Sequence, residues 1–541
     1  CMRFMPALKG TAPGSEGQLN AALTFLETVL RTEIQSRNPN IARVSIALGV
    51  FETPLTLKDD AARCFPSNPE IETQQLLARF DTWIDTLAKD VALETPTRTK
   101  VIAVAHAVWK PLRKTFAKDT PHVAQISVFA EALRSDDRGE KTTNAKRTLD
   151  CAGVVTTTFA ACLALAARHG HDDLSRLCME LSEDHCWLNI GLGREDTIEV
   201  TTENAARRGE PVSAEAWGGW LYSQGHPTRL DSRSVLAAVV NAINPSITSR
   251  QRTGTDCIEM GVIQRRLLQV VDGYGLLYPA AIDTLADEAE VQVQDKLDEA
   301  MAKDDWIAFD AEEAQHGPTA KVCTLFQRAR LVAAKTGDYQ WYPYSYEAFF
   351  WFRRVNCLRQ VVTRKPDDVS LRQRVSFGLS LAAAAAVAGG RVLGKYKYNP
   401  QVDEELFRDL EGLLETWRDT LVALSKLPQL DTETMAADRF LSLLNFLDSL
   451  RLLFDTQGLP SQWIPIVATA ARCFPPTVRQ SAVSAMKPST AAMVSCVPLW
   501  GPLKTTLLRD LLAAPKVGTG GNSADGVGDG TGRRDKRART K

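Results

Sequence analysis

Three side chains of the kind that do acyl chemistry fall along the chain in the order Cys151, His185, Glu199. Cys151 opens an apolar run, Leu149 to Gly170, that reads as a helix. His185 stands in LSEDHCW, Leu181 to Trp187, at the start of a strand-like stretch, Trp187 to Ile190. Glu199 lies on a second strand, Thr197 to Thr201, after a turn at Gly191 and Gly193. A thiol at a helix N-terminus is acidified by the helix dipole, a histidine takes its proton, and a carboxylate orients the histidine. Three features oppose catalysis. Asp150 precedes the thiol, and a like charge disfavours a thiolate. The carboxylate is Glu where such enzymes generally use Asp. A cysteine in a helix is most often buried and inert. Two readings stay open: a cysteine transferase or protease using Cys151, His185 and Glu199, or a relic of one. Cys186 beside His185 is no metal pair, because neighbours on a strand point to opposite faces. Neither metal nor cofactor is expected.

The elements that must position these residues form a small α/β core, Cys151 to Gln224, inside a mostly helical chain. Helical spacing of apolar residues marks Gln18–Glu33, Ile41–Phe51, Ile71–Val91, Thr99–Phe116 and His122–Leu133 ahead of it. After it come Ser234–Ile243, Cys257–Leu277, Tyr278–Ala286, Lys321–Lys335, Tyr342–Val362, Val375–Leu393, Asp403–Lys426, Asp431–Phe454 and Trp463–Cys473. Antiparallel pairs of this length predict tetratricopeptide-like repeats. Asp287–Glu313 holds eleven acidic residues against two lysines and reads as a solvated acidic insertion, bounded at 287–315. The expected divisions are 1–100, 101–233, 234–400, 401–515 and a basic tail, 516–541.

The 541 residues suffice for three or four domains, and a net charge of −1 argues against a body built to bind nucleic acid. The eleven cysteines contain no CxxC pair, which excludes a zinc ribbon and a secreted disulfide framework and favours a reducing compartment. Cys1–Gly17 lacks the long apolar core of a signal peptide. The alanine-rich run Phe377–Gly390 is too short for a bilayer, so no membrane partner is expected. In the Gly-rich tail, Arg533, Arg534, Lys536, Arg537, Arg539 and Lys541 read as a nuclear import signal or a weak, non-specific DNA contact.

The words around the core carry a resemblance. LDCAGV (Leu149–Val154), LSEDHCW, RRG (Arg207–Gly209), WLY (Trp220–Tyr222) and NAINPSI (Asn241–Ile247) resemble the menin family. So do VWKPLRKTFAKDTPH (Val108–His122), YPYSY (Tyr342–Tyr346), DEELF (Asp403–Phe407) and FPPTVRQ (Phe474–Gln480). The resemblance implies a nuclear scaffold, not an enzyme: a helical-repeat palm with an embedded transglutaminase-like α/β core. It implies a central cavity for a short basic peptide carrying Phe and Pro, from MLL-type histone methyltransferases or JunD-type transcription factors, with a LEDGF-like chromatin reader as co-partner. Carried over by motif, the peptide-binding positions are Asp119, Leu181, Ser182, Asp184, His185, Tyr278, Tyr342, Tyr346, Glu405 and Asp409. Tyr342 and Tyr346 share a helix face, as do Glu405 and Asp409. The chain departs from the family's pattern at Ala238, Asn241, Ala280 and Gly412, which implies a wider and more polar cavity. Cys151 is a further departure, since well-studied members lack a cysteine there.

Overall fold

The structure is a computed structural model. It describes residues 15–55, 66–112, 122–138, 148–182, 185–219, 221–222, 227–243, 258–303, 317–335 and 342–364, with scattered helical positions between 374 and 422. It is mostly helical, with a small antiparallel sheet. The chain divides into two units, Cys1–Leu285 and Ala286–Thr540.

In the first unit the elements run α1 (Ser15–Gln35), α2 (Ile41–Leu55), α3 (Pro69–Asp90), α4 (Thr97–Leu112), β1 (His122–Val123), α5 (Ser127–Arg138), β2 (Thr148–Leu149) and α6 (Cys151–His169). Then come β3 (Cys178–Leu181), β4 (Cys186–Asn189), β5 (Thr197–Ile198), α7 (Glu203–Arg208), α8 (Ala214–Trp217), β6 (Thr228–Leu230), α9 (Val235–Asn241) and α10 (Ile258–Asp272). α11 (Pro279–Lys303) crosses the division. Local sequence explains the ends. Asn68 caps α3 through its side chain, Pro69 occupies the first turn, and Leu76, Phe80, Ile84 and Leu87 form its buried stripe. Asp150 Oδ1 accepts from Gly153 N at 2.7 Å to start α6, and Gly170, at φ 74°, ends it in the left-handed region.

α6 is a core helix. Val154, Val155, Phe159, Ala161, Cys162 and Leu165 are buried, and the Thr157 and Thr158 hydroxyls donate back to the carbonyls of Gly153 and Val154. Among the described helices it is long and apolar enough to cross a membrane, but burial accounts for that composition. A side chain at Gly153 would press on the Val123 carbonyl and Ala124 Cα, at 3.0 and 3.2 Å, so this glycine lets the segment after β1 lie against the helix.

α6 packs against β3 and β4, the middle strands of a four-stranded antiparallel sheet ordered β5-β4-β3-β6. β3 and β4 form a hairpin with Leu181 opposite Cys186, and Leu188 pairs with Ile198 on β5. Every residue of β4 is buried. Trp187 packs with Val212, Tyr222 and Trp217, while Asn189 donates to Glu180 at 3.0 Å.

In the second unit α12 (Pro318–Lys335) and α13 (Tyr342–Arg364) pack on each other. The second half of α11 reaches α13 through an Arg353–Glu290 ion pair at 2.8 Å and Gln294 Nε2 to Cys357 Sγ at 3.3 Å.

The structure corrects several expectations. It adds β2, β3 and β6 to the expected strands, so that Leu149 belongs to β2 and the helix begins at Cys151, and His122–Val123 is a strand with the helix beginning only at Ser127. Residues 287–303 are not a solvated insertion. They continue α11, burying Ala289, Val293, Leu297 and Ala300. Charge count hid that helical stripe, which needs only one apolar residue every third or fourth position. The expected helices Asp431–Phe454 and Trp463–Cys473 and the basic tail lie outside the described residues.

Candidate functional site

The tip of α6, the start of β4 and the residues just after β5 bring Cys151, His185 and Glu199 together. Cys151 is the first residue of α6 and is exposed. His185 stands one residue before β4, in the β3–β4 turn. Ser182 sets that turn: its hydroxyl donates to the Leu221 carbonyl at 2.8 Å and accepts from His185 N at 3.1 Å, and Ser182 N donates to the His185 carbonyl at 2.8 Å. The conspicuous LSEDH word therefore builds a backbone clamp for the histidine.

Glu199 stands one residue beyond β5, not on it. Its Oε2 lies 2.7 Å from His185 Nε2 and accepts from Tyr222 OH at 2.8 Å. Its Oε1 accepts from Thr201 N at 2.8 Å and Thr201 Oγ1 at 2.5 Å. All four donors converge on a group that is acceptor-only when ionised, which matches a carboxylate. The ring of His185 stacks on Trp187 and meets Tyr222 edge-on. With Nε2 engaged by Glu199, the ring nitrogen left for the Cys151 sulfur is Nδ1, and each of the two side chains shifts the ionisation of the other.

These contacts set the electrostatics. Hydrogen bonding from the Cys186 thiol lowers the Cys151 thiol most. Burial opposes this, His185 and the Ala152 amide add to it, and the result is about 5. Burial pulls His185 down, but its hydrogen bonds to Cys151 and Glu199 outweigh that and raise it to about 9. Glu199 is held below the usual carboxylate range: burial would raise it, but the His185 hydrogen bond and charge prevail. Cys186 is pushed well above an ordinary thiol by its bond to Cys151 and by burial. Near neutral pH the site therefore holds a thiolate–imidazolium pair. Asp150, which the sequence set against a thiolate, is pushed up to about 7 by burial and by the charge on Cys151. The two charges do repel, as the sequence implied, and part of that repulsion appears as the rise in Asp150, which still caps the helix.

Tyr222 and Thr201 are site residues that sequence reasoning missed. Tyr222 stood in view within the WLY word, but nothing local ties a tyrosine to a glutamate 23 positions away. Cys186 was expected to face away from its neighbour. β4 begins only at Cys186, so strand alternation does not reach back to His185, and both side chains act on the ionisation of the same sulfur.

The proposed peptide-binding positions fall in several places. Leu181, half-buried, ends β3, and Ser182 is buried in the turn. Tyr278 is buried, its hydroxyl 2.8 Å from Asn241 Nδ2, and Asn241 Oδ1 accepts from Thr284 Oγ1 at 2.8 Å. Asn241 thus works as a bracket between α9 and α11. Ala238 is buried in α9, and Ala280 is exposed on α11. In the second unit Tyr342 opens α13, Tyr346 is half-buried one turn on, and Gly412 stands with Phe349 near its missing Cβ, at 3.9 Å. Asp119, Asp184, Glu405, Asp409 and the six cationic tail residues lie outside the described residues.

The family model described as Menin matches residues 19–303. The chain belongs to the menin family. The match includes α6, the whole four-stranded sheet and Tyr278. Among solved structures, the crystal structure of menin that reveals the binding site for Mixed Lineage Leukemia (MLL) protein is similar, with a TM-score of 0.60 at 24% identity. That likeness covers 91% of this chain and 98% of that one and shows a shared fold.

Proposed function

We propose that this menin-family protein is a nuclear scaffold that captures a short basic peptide of the MLL type, and by extension JunD-type factors, in a cavity of its helical body. The observation that carries the reading is the family match across residues 19–303, joined to a fold shared with a menin described by its MLL-binding site. Supporting it, Ser182, His185 and Tyr278 are ordered by hydrogen bonds or burial, so these positions are preorganised. The α/β core reads as transglutaminase-like because a helix opening on cysteine packs across an antiparallel sheet. The paired helices α12 and α13 fit a tetratricopeptide-like palm. The basic tail would supply import and weak DNA contact, and a LEDGF-like reader would join on the assembled surface.

Calorimetry with an MLL-type peptide tests this. The full chain should bind. Tyr346→Ala should weaken binding by about 1–3 kcal/mol, as for an aromatic anchor. Glu405→Lys should slow association with a strong salt dependence. Wild-type binding unchanged in both variants would remove these residues from the cavity.

A further inference from the structure

We propose that Cys151, His185 and Glu199 form a working nucleophilic site that takes an acyl group from an amide onto the Cys151 sulfur. The proposal does not rest on peptide capture, although His185 belongs to both readings, and it takes the working site over the relic of the two that the sequence left open.

The geometry carries it. His185 is fixed on three sides: Glu199 holds Nε2 at 2.7 Å, Trp187 stacks on the ring, and Ser182 clamps the backbone. Glu199 is in turn fixed by Tyr222 and Thr201. Cys151 is exposed at the tip of α6, while Cys186 and Tyr222 are buried and His185 keeps a small exposed fraction beside it. The same helix supplies a contrast. Cys162, three turns on, is fully buried, and its thiol is pushed far up by burial and by Asp173. Among the described residues, the ionisable groups acting on the sulfur are His185, Cys186 and Asp150, with Glu199 and Tyr222 behind the histidine. One helix thus holds an inert cysteine and an ionised one, and the difference is the company each keeps.

A pre-ionised sulfur beside a protonated imidazole suits a particular leaving group. A phenolate or thiolate departs unaided, whereas an amine must be protonated as it leaves, and His185 carries that proton. The thiolate lone pair attacks the carbonyl carbon. The C–S bond forms and the C=O π pair moves to oxygen. When that pair returns, the C–N bond breaks, and nitrogen takes the Nδ1 proton of His185 and leaves as the neutral amine. Water or a second amine then attacks the thioester carbon and gives its proton to His185 as the C–S bond breaks. Thiolate and imidazolium are restored, and the net change is acyl transfer from one amine to water or to another amine. Glu199 and Tyr222 touch neither sulfur nor substrate and act as positioning residues.

The test uses the full chain with two acetyl donors, p-nitrophenyl acetate and p-nitroacetanilide. The ester should release one rapid equivalent of p-nitrophenolate at pH 6.5, with the acetyl group mapped to Cys151 and not to Cys162. Cys151→Ser, a one-atom change at an exposed helix tip, should abolish the burst. The anilide should release p-nitroaniline slowly, and only with Cys151 present. His185→Gln should cut anilide release by about 10²-fold or more while cutting the ester burst less, because only the amine needs the acid. The proposal is overturned by acetylation that ignores Cys151, by anilide release that survives Cys151→Ser, or by ester acylation of Cys151 with no anilide release.

Discussion

Replacing Glu199 with glutamine keeps its shape, removes one charge and sets a donor among donors. Both oxygens of Glu199 accept: one from Tyr222 and His185, the other from Thr201 N and Oγ1. A glutamine must turn its NH2 toward one of these pairs. The stranded group should cost about 1–3 kcal/mol of stability, the usual penalty for a buried polar group left unpaired. The larger effect is on the thiol. Without the carboxylate the imidazolium loses its partner, while Cys186 and the Ala152 amide still lower the thiol, so the ordinary value of about 8.5 is the upper limit of the climb of Cys151 from about 5. At pH 6 that leaves roughly 300-fold less thiolate. Thiolate nucleophilicity rises with basicity, with a coefficient of about 0.4–0.5, so each remaining thiolate is roughly 40-fold more reactive toward a disulfide. At that limit the variant should react about five- to tenfold more slowly than wild type at pH 6, equal it near pH 7, and overtake it by about tenfold at pH 8, with a smaller climb giving the same crossing of profiles at smaller factors. Stopped-flow reaction with a neutral aromatic disulfide, with the adduct mapped to Cys151, reads both profiles. Parallel profiles that never cross would refute the claim that Glu199 sets the ionisation of Cys151.

Two further predictions concern stability. Lys100 is buried and its ammonium lies 2.7 Å from Asp173, so Asp173→Ala should cost about 2–4 kcal/mol in urea denaturation, reduced because Asp173 is itself partly exposed, while Lys100→Met should cost less. Urea midpoints ranked the other way would place the stabilisation elsewhere. The His185 contribution is full below its unfolded value and lost as pH rises through about 9; that of Cys151 is full above its unfolded value and lost as pH falls through about 5. Stability of wild type relative to the double variant Cys151→Ser, His185→Gln should therefore be level between about pH 6.5 and 8.5 and decline on both sides, whereas a difference that changes steadily through that interval would exclude the ion pair.

The order Cys151, His185, Glu199 was readable because each residue sits at the end of an element that the local pattern announces. The bounds of α3 and α6 were readable for the same reason: Asn68 and Asp150 are caps, and Gly170 is a stop. What escaped was set by distance in sequence. β6 pairs with β3 across 47 positions, from Leu181 to Thr228, and a three-residue strand has too little alternation to declare itself. Tyr222 joins Glu199 only because the chain folds back under Trp187. Asp150 was read by its charge, which does oppose Cys151, but its work as a cap went unread, and residues 287–303 were read by their acidity when four small or branched residues decide their burial. Charge is visible at a glance in a sequence, but burial depends on what packs above.

The ionisation of one sulfur is the first requirement of a working site. The far-ultraviolet absorbance of the thiolate, titrated with pH for wild type and for Cys151→Ser, isolates Cys151 in the difference. A difference curve with its midpoint at about 5 is the predicted result. A midpoint at about 8.5 or above, the value of an ordinary thiol, would contradict it.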